Sequence, residues 1–385
     1  MHYLFKILNS FIARISEFIL LFSQVISLQI AFYPIVLLSL ITNFNRLIRN
    51  KLTIIVVVFS FSIAVSIYLR GGEIELNLKL IQYYLGVLLV TVYFKINKKI
   101  SIESWLIYGL VGLVFFEVIS TNIFSNLPFF YDDPSKALYN LAIDQLGFAR
   151  AQTGIGFYRA FGPALNSSIS GSMLVVLFFI LFDKRKDGVP MHLIVLVFSA
   201  FVLSASNTAV AVFLFMWIMH FLKKLQKRTI VSLVLSFIKF FSLGLIFLVF
   251  CLLLYFAIEL LFGFSFLKNP FSVDSIIFVF NQKLYGLTHL VAEAENIFFG
   301  RNLSIEVNQQ IGGDSQLFNM IQNLGLYGLF GLFSILFWVS EKGTRIYIIG
   351  GFIATMHYGA LFSLAGQFFY AAVASNAIMR KSCLN

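Results

Sequence analysis

Uncharged apolar stretches alternate along this chain with short joints rich in Lys and Arg, and two long polar segments interrupt the alternation. A helix crossing a bilayer needs about 20 apolar residues, and the stretches at 52–69, 78–94, 102–124, 163–182 and 315–339 are each close to that length. The run 11–42 is too long for one upright span and is basic on both flanks, so it is read as two short helices turning near Ser23–Ser27. A tight pair, 189–204 and 208–222, turns at the SASNT stretch. The run 230–262 is long enough to tilt strongly or to project beyond the bilayer. The C-terminal run 346–378 reads as two short helices. The pattern predicts an all-α polytopic membrane protein, a single membrane domain over 1–385 with about twelve (11–12) transmembrane helices. Its two larger loops lie at 124–166 and 263–314.

Composition sharpens this picture. Only 12% of residues are charged, against about 25% in an average soluble domain, and the mean hydropathy is +0.91. Phe, at 47 residues, is read as a lipid-facing bias. No cleavable signal pattern precedes the first apolar run. The two cysteines, Cys251 and Cys383, are placed too far apart along the pattern for a disulfide or a metal set.

The net charge of +11 is a matter of topology. Lys and Arg cluster in alternate joints: Arg46, Arg49 and Lys51; Lys95, Lys98 and Lys99; Lys184 to Lys186; Lys223 to Arg228; Lys342 and Arg345; Arg380 and Lys381. The positive-inside rule puts these joints, and both termini, in the cytoplasm. Nucleic acid is therefore not an expected partner. Arg70, Lys136, Arg150, Arg159, Lys268, Lys283 and Arg301 fall on the other side, with the two long loops.

Chemistry is sought in those loops. Arg159 lies four residues before Pro163, which suits the opening of a helix. A guanidinium beside a helix N-terminus makes a diphosphate site; the bland alternative is an arginine anchoring a helix end among lipid headgroups. Arg150 sits mid-loop, where solvation alone explains it. Asp132–Asp133 before Pro134 reads first as a turn and second as a metal site. In the second loop Asp314 follows two glycines at the start of a helix, and two compatible readings stand: N-cap and general base toward a sugar hydroxyl. Arg301 holds an anionic group or pairs with Glu306. His289, Glu293 and Glu295 are reserve acid–base candidates. Gly325, Gly328 and Gly331 form a small-residue stripe for helix packing. Within spans, Arg14 and Glu17 are placed to pair on one helix face, and Glu117 lies deep.

Taken together, the layout of spans, the Arg159-x-x-Gly162 with Pro163 and Asn166, and the late loop ending GGDSQLFNMIQNLGLYGLFGLF resemble the bacterial O-antigen polymerases, the Wzy family, close kin of the O-antigen ligases. The family's loops carry an Arg, ten residues, then Gly; Arg301 and Gly312 match it, while the glycine at similar distance from Arg159, Gly171, lies one residue too far, and that from Arg150 is Gly162. The resemblance implies a GT-C-like glycosyltransferase in the bacterial inner membrane, active at the periplasmic face and needing no metal or cofactor beyond its lipid-diphosphate-linked sugar donor. It would move a growing undecaprenyl-diphosphate-linked glycan onto a fresh lipid-linked repeat unit, alongside the chain-length regulator and flippase of its pathway. Arg159, with Arg301 or Arg150, would hold the diphosphate, Asp314 would act as base, and Tyr158, Asn166 and His289 would contact glycan. A ligase of the same class, and a flippase or permease of another, are the alternatives.

Overall fold

The computed structural model describes residues 14–98, 100–123, 160–204, 206–225, 297–300 and 315–380. Among these the chain is helical throughout, with a lone parallel bridge between Ile102 and Ile378. Helix α1 covers 14–22 and, after a turn over 23–27, α2 covers Gln29–Thr42. A short α3, Phe44–Arg49, leads to α4, Lys51–Leu69. Next come α5, Ile74–Ile96, and α6, Ser104–Ile123. After the turn Gly162–Ala164, α7 spans Ser167–Asp183, α8 Met191–Leu203 and α9 Asn207–Leu225. The last three are α10, Gln316–Val339, α11, Arg345–Thr355, and α12, Leu364–Ala374.

These elements begin and end where the polar residues allow. Asn50 caps α4 by accepting from the Leu52 N–H at 3.0 Å, and Asn166 caps α7 by accepting from Ser168 and Ile169. Four helices are long and apolar enough to cross a membrane: α4, α5, α10, and α7 continued into the turn Lys184–Asp187. Several shorter apolar helices accompany them, and together they mark a membrane-embedded chain. The long run 230–262 lies outside the described residues.

Hydrogen bonds sort the joints into two ends of the bundle. At one end the basic joints are tied to each other. Asn43 donates to Asn97 (3.1 Å), Lys95 to the Val339 carbonyl (3.2 Å) and Arg380 to the Lys98 carbonyl (3.0 Å). Lys184 reaches the Ile378 carbonyl, and Asp183 accepts from Tyr347 at 2.6 Å beside His220. Asn376 closes the ring onto Glu341. The alternation of basic joints read from the sequence is thus a real clustering in space.

Helix α7 is the central one, with nearly all of its residues buried against α8, α9 and α11. Helix α4 is peripheral and leaves Ile54, Val57, Val58 and Phe61 exposed on one side. Some phenylalanines, such as Phe61 and Phe330, are exposed as a lipid-facing residue would be, and others are not. Phe179, Phe198, Phe201 and Phe213 stack between α7, α8 and α9, with the Phe201 and Phe213 centroids 5.6 Å apart. Flat rings fill helix–helix gaps as readily as they face lipid.

Arg14 also departs from the reading of its sequence spacing. Its carboxylate partner is Glu103 in the joint before α6, at 3.9 Å, while Glu17 is buried against the Ser101 backbone.

Candidate functional site

The end opposite the basic joints holds the described chain on both sides of the first polar segment and, at 297–300 and from Ser315 onward, where the second returns to the bundle. The first segment rejoins at Ala160, next in sequence to Arg159. Ala160 is buried and donates to the Leu203 carbonyl at 3.3 Å. The N–H groups of Phe161 and Gly162 then donate to one carboxylate oxygen of Glu117, at 3.0 and 2.9 Å. Gly162 has φ +65, and a Cβ there would stand 2.7 Å from Ser170. The deep acid noted in the sequence is therefore an anchor for this turn. The turn packs on α6, α7 and α12, and Phe161 and Leu165 close over Val25 of the first hairpin.

Alanine at position 117 would leave the N–H groups of Phe161 and Gly162 without this acceptor. A stranded buried donor costs about 1–3 kcal/mol, so Glu117→Ala is expected to lower unfolding stability by ~2–4 kcal/mol. Thermal unfolding in detergent checks this; an unchanged midpoint contradicts the anchoring role.

The second segment rejoins through α10, which is not one continuous helix. Gly325 sits at φ +73, ψ 179 and splits it into a first half, 316–324, and a second half, 326–339. The break frees backbone N–H groups, which must find partners in an apolar setting. Residues 297–300 supply them: Leu326 donates to the Ile297 carbonyl (2.9 Å) and Tyr327 to that of Phe298 (3.0 Å). On the other side of the break, Arg70 at the end of α4 donates from Nη2 to the Asn323 carbonyl at 2.8 Å and from Nε to the Ser66 carbonyl at 3.1 Å. Partial burial lowers the Arg70 pKa from its usual value, but an arginine stays charged at any physiological pH. Gly300, next in sequence to Arg301, packs against the Asn323 carbonyl and the Arg70 guanidinium.

The first half of α10 carries Asn319, Gln322 and Asn323 on one face, and all three are buried. Asn323 donates to the Tyr84 hydroxyl at 3.2 Å. At the other end of this half, Ser315 donates to the Met356 carbonyl at 2.8 Å. A Cβ on Gly359 would meet both Gln316 and the Tyr83 hydroxyl. Both ends of the half thus lie at the level of two consecutive tyrosines of α5, and it runs across α5 instead of along it. The reason lies below it. Helices α11 and α12 have 11 residues each, about 16 Å at 1.5 Å per residue, and their hairpin stops short of the loop end. The half-helix lies over its tip, at Met356 to Ser363.

Of the residues singled out in the sequence for chemistry, Asn166 is described, and its carboxamide oxygen is engaged in capping α7. Arg159, Asp314, Arg301, Arg150, Tyr158 and His289 lie outside the described residues, as do Asp132 and Asp133. What is described is the ground on which three of them stand, at Ala160, Gly300 and Ser315. The N-cap of α10 falls on Ser315, one residue past Asp314. Gly331 of the glycine stripe does serve packing: a Cβ there would meet the Phe59 ring at 2.2 Å. Gly325 has the different task of breaking the helix.

Sequence reading missed Arg70 and the amides Asn319, Gln322 and Asn323. The amide spacing of three, then one, on an otherwise apolar helix was the available signal, because polar side chains at membrane depth are conspicuous. Arg70→Lys keeps the charge but loses the planar fork that grips two carbonyls. It is expected to cost ~1–2 kcal/mol in unfolding stability; stability equal to wild type in the same unfolding measurement contradicts the clamp.

Among the described residues no group of three His, Cys, Asp or Glu side chains converges as a metal site would need. No family model, characterised protein or solved structure matches this chain.

Proposed function

We propose that this protein is a surface-polysaccharide polymerase of the O-antigen type, a membrane glycosyltransferase acting on undecaprenyl-diphosphate-linked repeat units. One observation supports the reading above the others. The described neighbours of Arg159, Arg301 and Asp314 all belong to the bundle end opposite the basic joints: Gly300 and Ser315 are knit to the broken first half of α10, and Ala160 to the end of α8. Two cations and a carboxylate, brought in by separate polar segments, suit a donor whose leaving group is a lipid diphosphate at the bilayer surface.

In this reaction an acceptor-sugar hydroxyl oxygen forms a bond to the donor's anomeric carbon. The bond from that carbon to the diphosphate oxygen breaks, and the lipid diphosphate leaves with the electron pair. Arg159, with Arg301 or Arg150, stabilises the charge that develops there. Asp314 takes the hydroxyl proton. Buried amides and tyrosine hydroxyls, as at Asn319, Gln322 and Tyr84, are the groups that bind sugar hydroxyls by hydrogen bonding.

The test is incubation of purified protein with one lipid-diphosphate-linked repeat unit from its own gene neighbourhood, with products resolved by length. A ladder rising in whole repeat units is the expected result. Transfer of finished glycan to a lipid A–core acceptor, with no ladder, would indicate a ligase instead. A second reading draws on the broken α10, since discontinuous helices often line carrier sites: a lipid-linked-oligosaccharide transporter would give no ladder and would move the intact repeat unit across a vesicle membrane.

A further inference from the structure

A cavity of about 1530 Å³ opens at the basic end of the bundle, away from the polar segments. Five cations line it, Arg46, Arg49, Lys51, Lys95 and Lys98, and none of its lining residues is acidic. Lys95 is engaged with the Val339 carbonyl, but Arg46, Arg49, Lys51 and Lys98 take part in no ion pair among the described residues. The polar floor is locked: Asn97 donates to Ser39 at 2.9 Å and accepts from Asn43, joining α2 to α5. Ile35, Leu38, Ile96 and Ile100 make the remaining walls apolar. Leu38 is continuous with Leu37 and Ile41, exposed on the outer face of α2.

We propose that this groove holds the headgroup of an anionic glycerophospholipid of the membrane leaflet at the basic end, with the upper acyl chain against α2. Uncompensated like charges at a cavity repel one another, and an anion placed among them removes that repulsion. Arginine forks match phosphate oxygens in pairs, and Arg46 and Arg49, three apart on α3, share a helix face. Helix α3 buries none of its residues and leaves Phe44 and Ile48 exposed, four apart on the same side. That is the make-up of a short segment lying in the headgroup layer. A free phosphate ion would fill a small part of the volume and would make no use of the apolar wall. A basic joint that only orients the chain needs no cavity at all.

The test is native mass spectrometry of the full-length protein released from micelles containing equal phosphatidylglycerol and phosphatidylcholine. Wild type is expected to retain phosphatidylglycerol with roughly tenfold preference or more, and Arg46→Gln/Arg49→Gln is expected to fall toward parity. The charge-keeping Arg46→Lys/Arg49→Lys should hold most of the preference. So should Arg185→Gln/Lys186→Gln, which alters a basic joint outside the groove. Absence of preference in wild type, or equal loss in both glutamine pairs, would overturn the proposal. Displacement of the lipid by millimolar inorganic phosphate would assign the groove to a free anion and overturn the lipid part.

Discussion

Gly325→Ala is expected to be the most damaging single substitution in the described part of the protein. At φ +73 and ψ 179 the backbone occupies a region open essentially to glycine alone. A Cβ would also stand 2.1 Å from the Phe298 carbonyl oxygen and 2.6 Å from the Gly300 nitrogen. Both neighbours are backbone, so neither moves aside by changing a rotamer. The conformational cost alone is about 1–3 kcal/mol, and expelling residues 297–300 also strands the N–H groups of Leu326 and Tyr327 at about 1–3 kcal/mol each. A total loss of ~4 kcal/mol or more follows, enough to unfold a marginally stable protein. Alanine is otherwise the best helix former. If the break were incidental, the substitution would straighten α10 and raise stability. Unfolding of Gly325→Ala beside Gly328→Ala in detergent separates the two.

The second large effect is expected on activity. In the repeat-unit assay, Asp314→Asn should lower the turnover rate by roughly 10²–10⁴-fold, the usual contribution of a general base, with substrate affinity largely kept. Asparagine has the same shape and caps helices as well as aspartate does, so a merely structural role at 314 leaves the rate near wild type. Arg159→Gln should lower it by about 10²–10³-fold through lost stabilisation of the leaving diphosphate. The proton-transfer and charge-stabilising roles are distinguishable by pH. With Asp314 as base, the wild-type rate falls as pH drops through the carboxylate pKa, and that limb disappears in Asp314→Asn. Arg159→Gln keeps it.

Much of the helix layout is legible in the sequence because charge and hydropathy change together at the joints. The stretch 52–69 is α4 to within a residue, and the C-terminal run does form the two short helices α11 and α12. The turn at 23–27 and the pair joined by SASNT are likewise placed as the pattern indicates. Hydropathy, however, does not distinguish a face turned to lipid from one turned to protein, since both are apolar. That is why a high Phe content read as a lipid-facing bias, although Phe179, Phe201 and Phe213 are interior. Nor does it show a break that depends on a distant segment. Glycines at 325, 328 and 331 have the spacing of a packing stripe, and only the arrival of residues 297–300 gives Gly325 its separate part. Arg70 looked like one outer cation among several, because its partner carbonyl lies 253 residues away. Arg14 and Glu17 show the converse: close spacing suggested a pair, and Glu103 from another joint is the partner.

The proposed function requires the two ends of the bundle to have different tasks, a working end toward the periplasm and a basic end in the cytoplasm. Two single cysteines read this directly, in a background lacking Cys251 and Cys383. Glu73→Cys lies at the working end beside Arg70, Lys186→Cys lies at the basic end, and both positions are exposed. Spheroplasts treated with a membrane-impermeant maleimide should label the cysteine at 73 at once and the cysteine at 186 only after the membrane is permeabilised. Labelling of 186 from outside, with 73 protected, would put the polar segments in the cytoplasm and contradict a site acting on periplasmic lipid-linked repeat units.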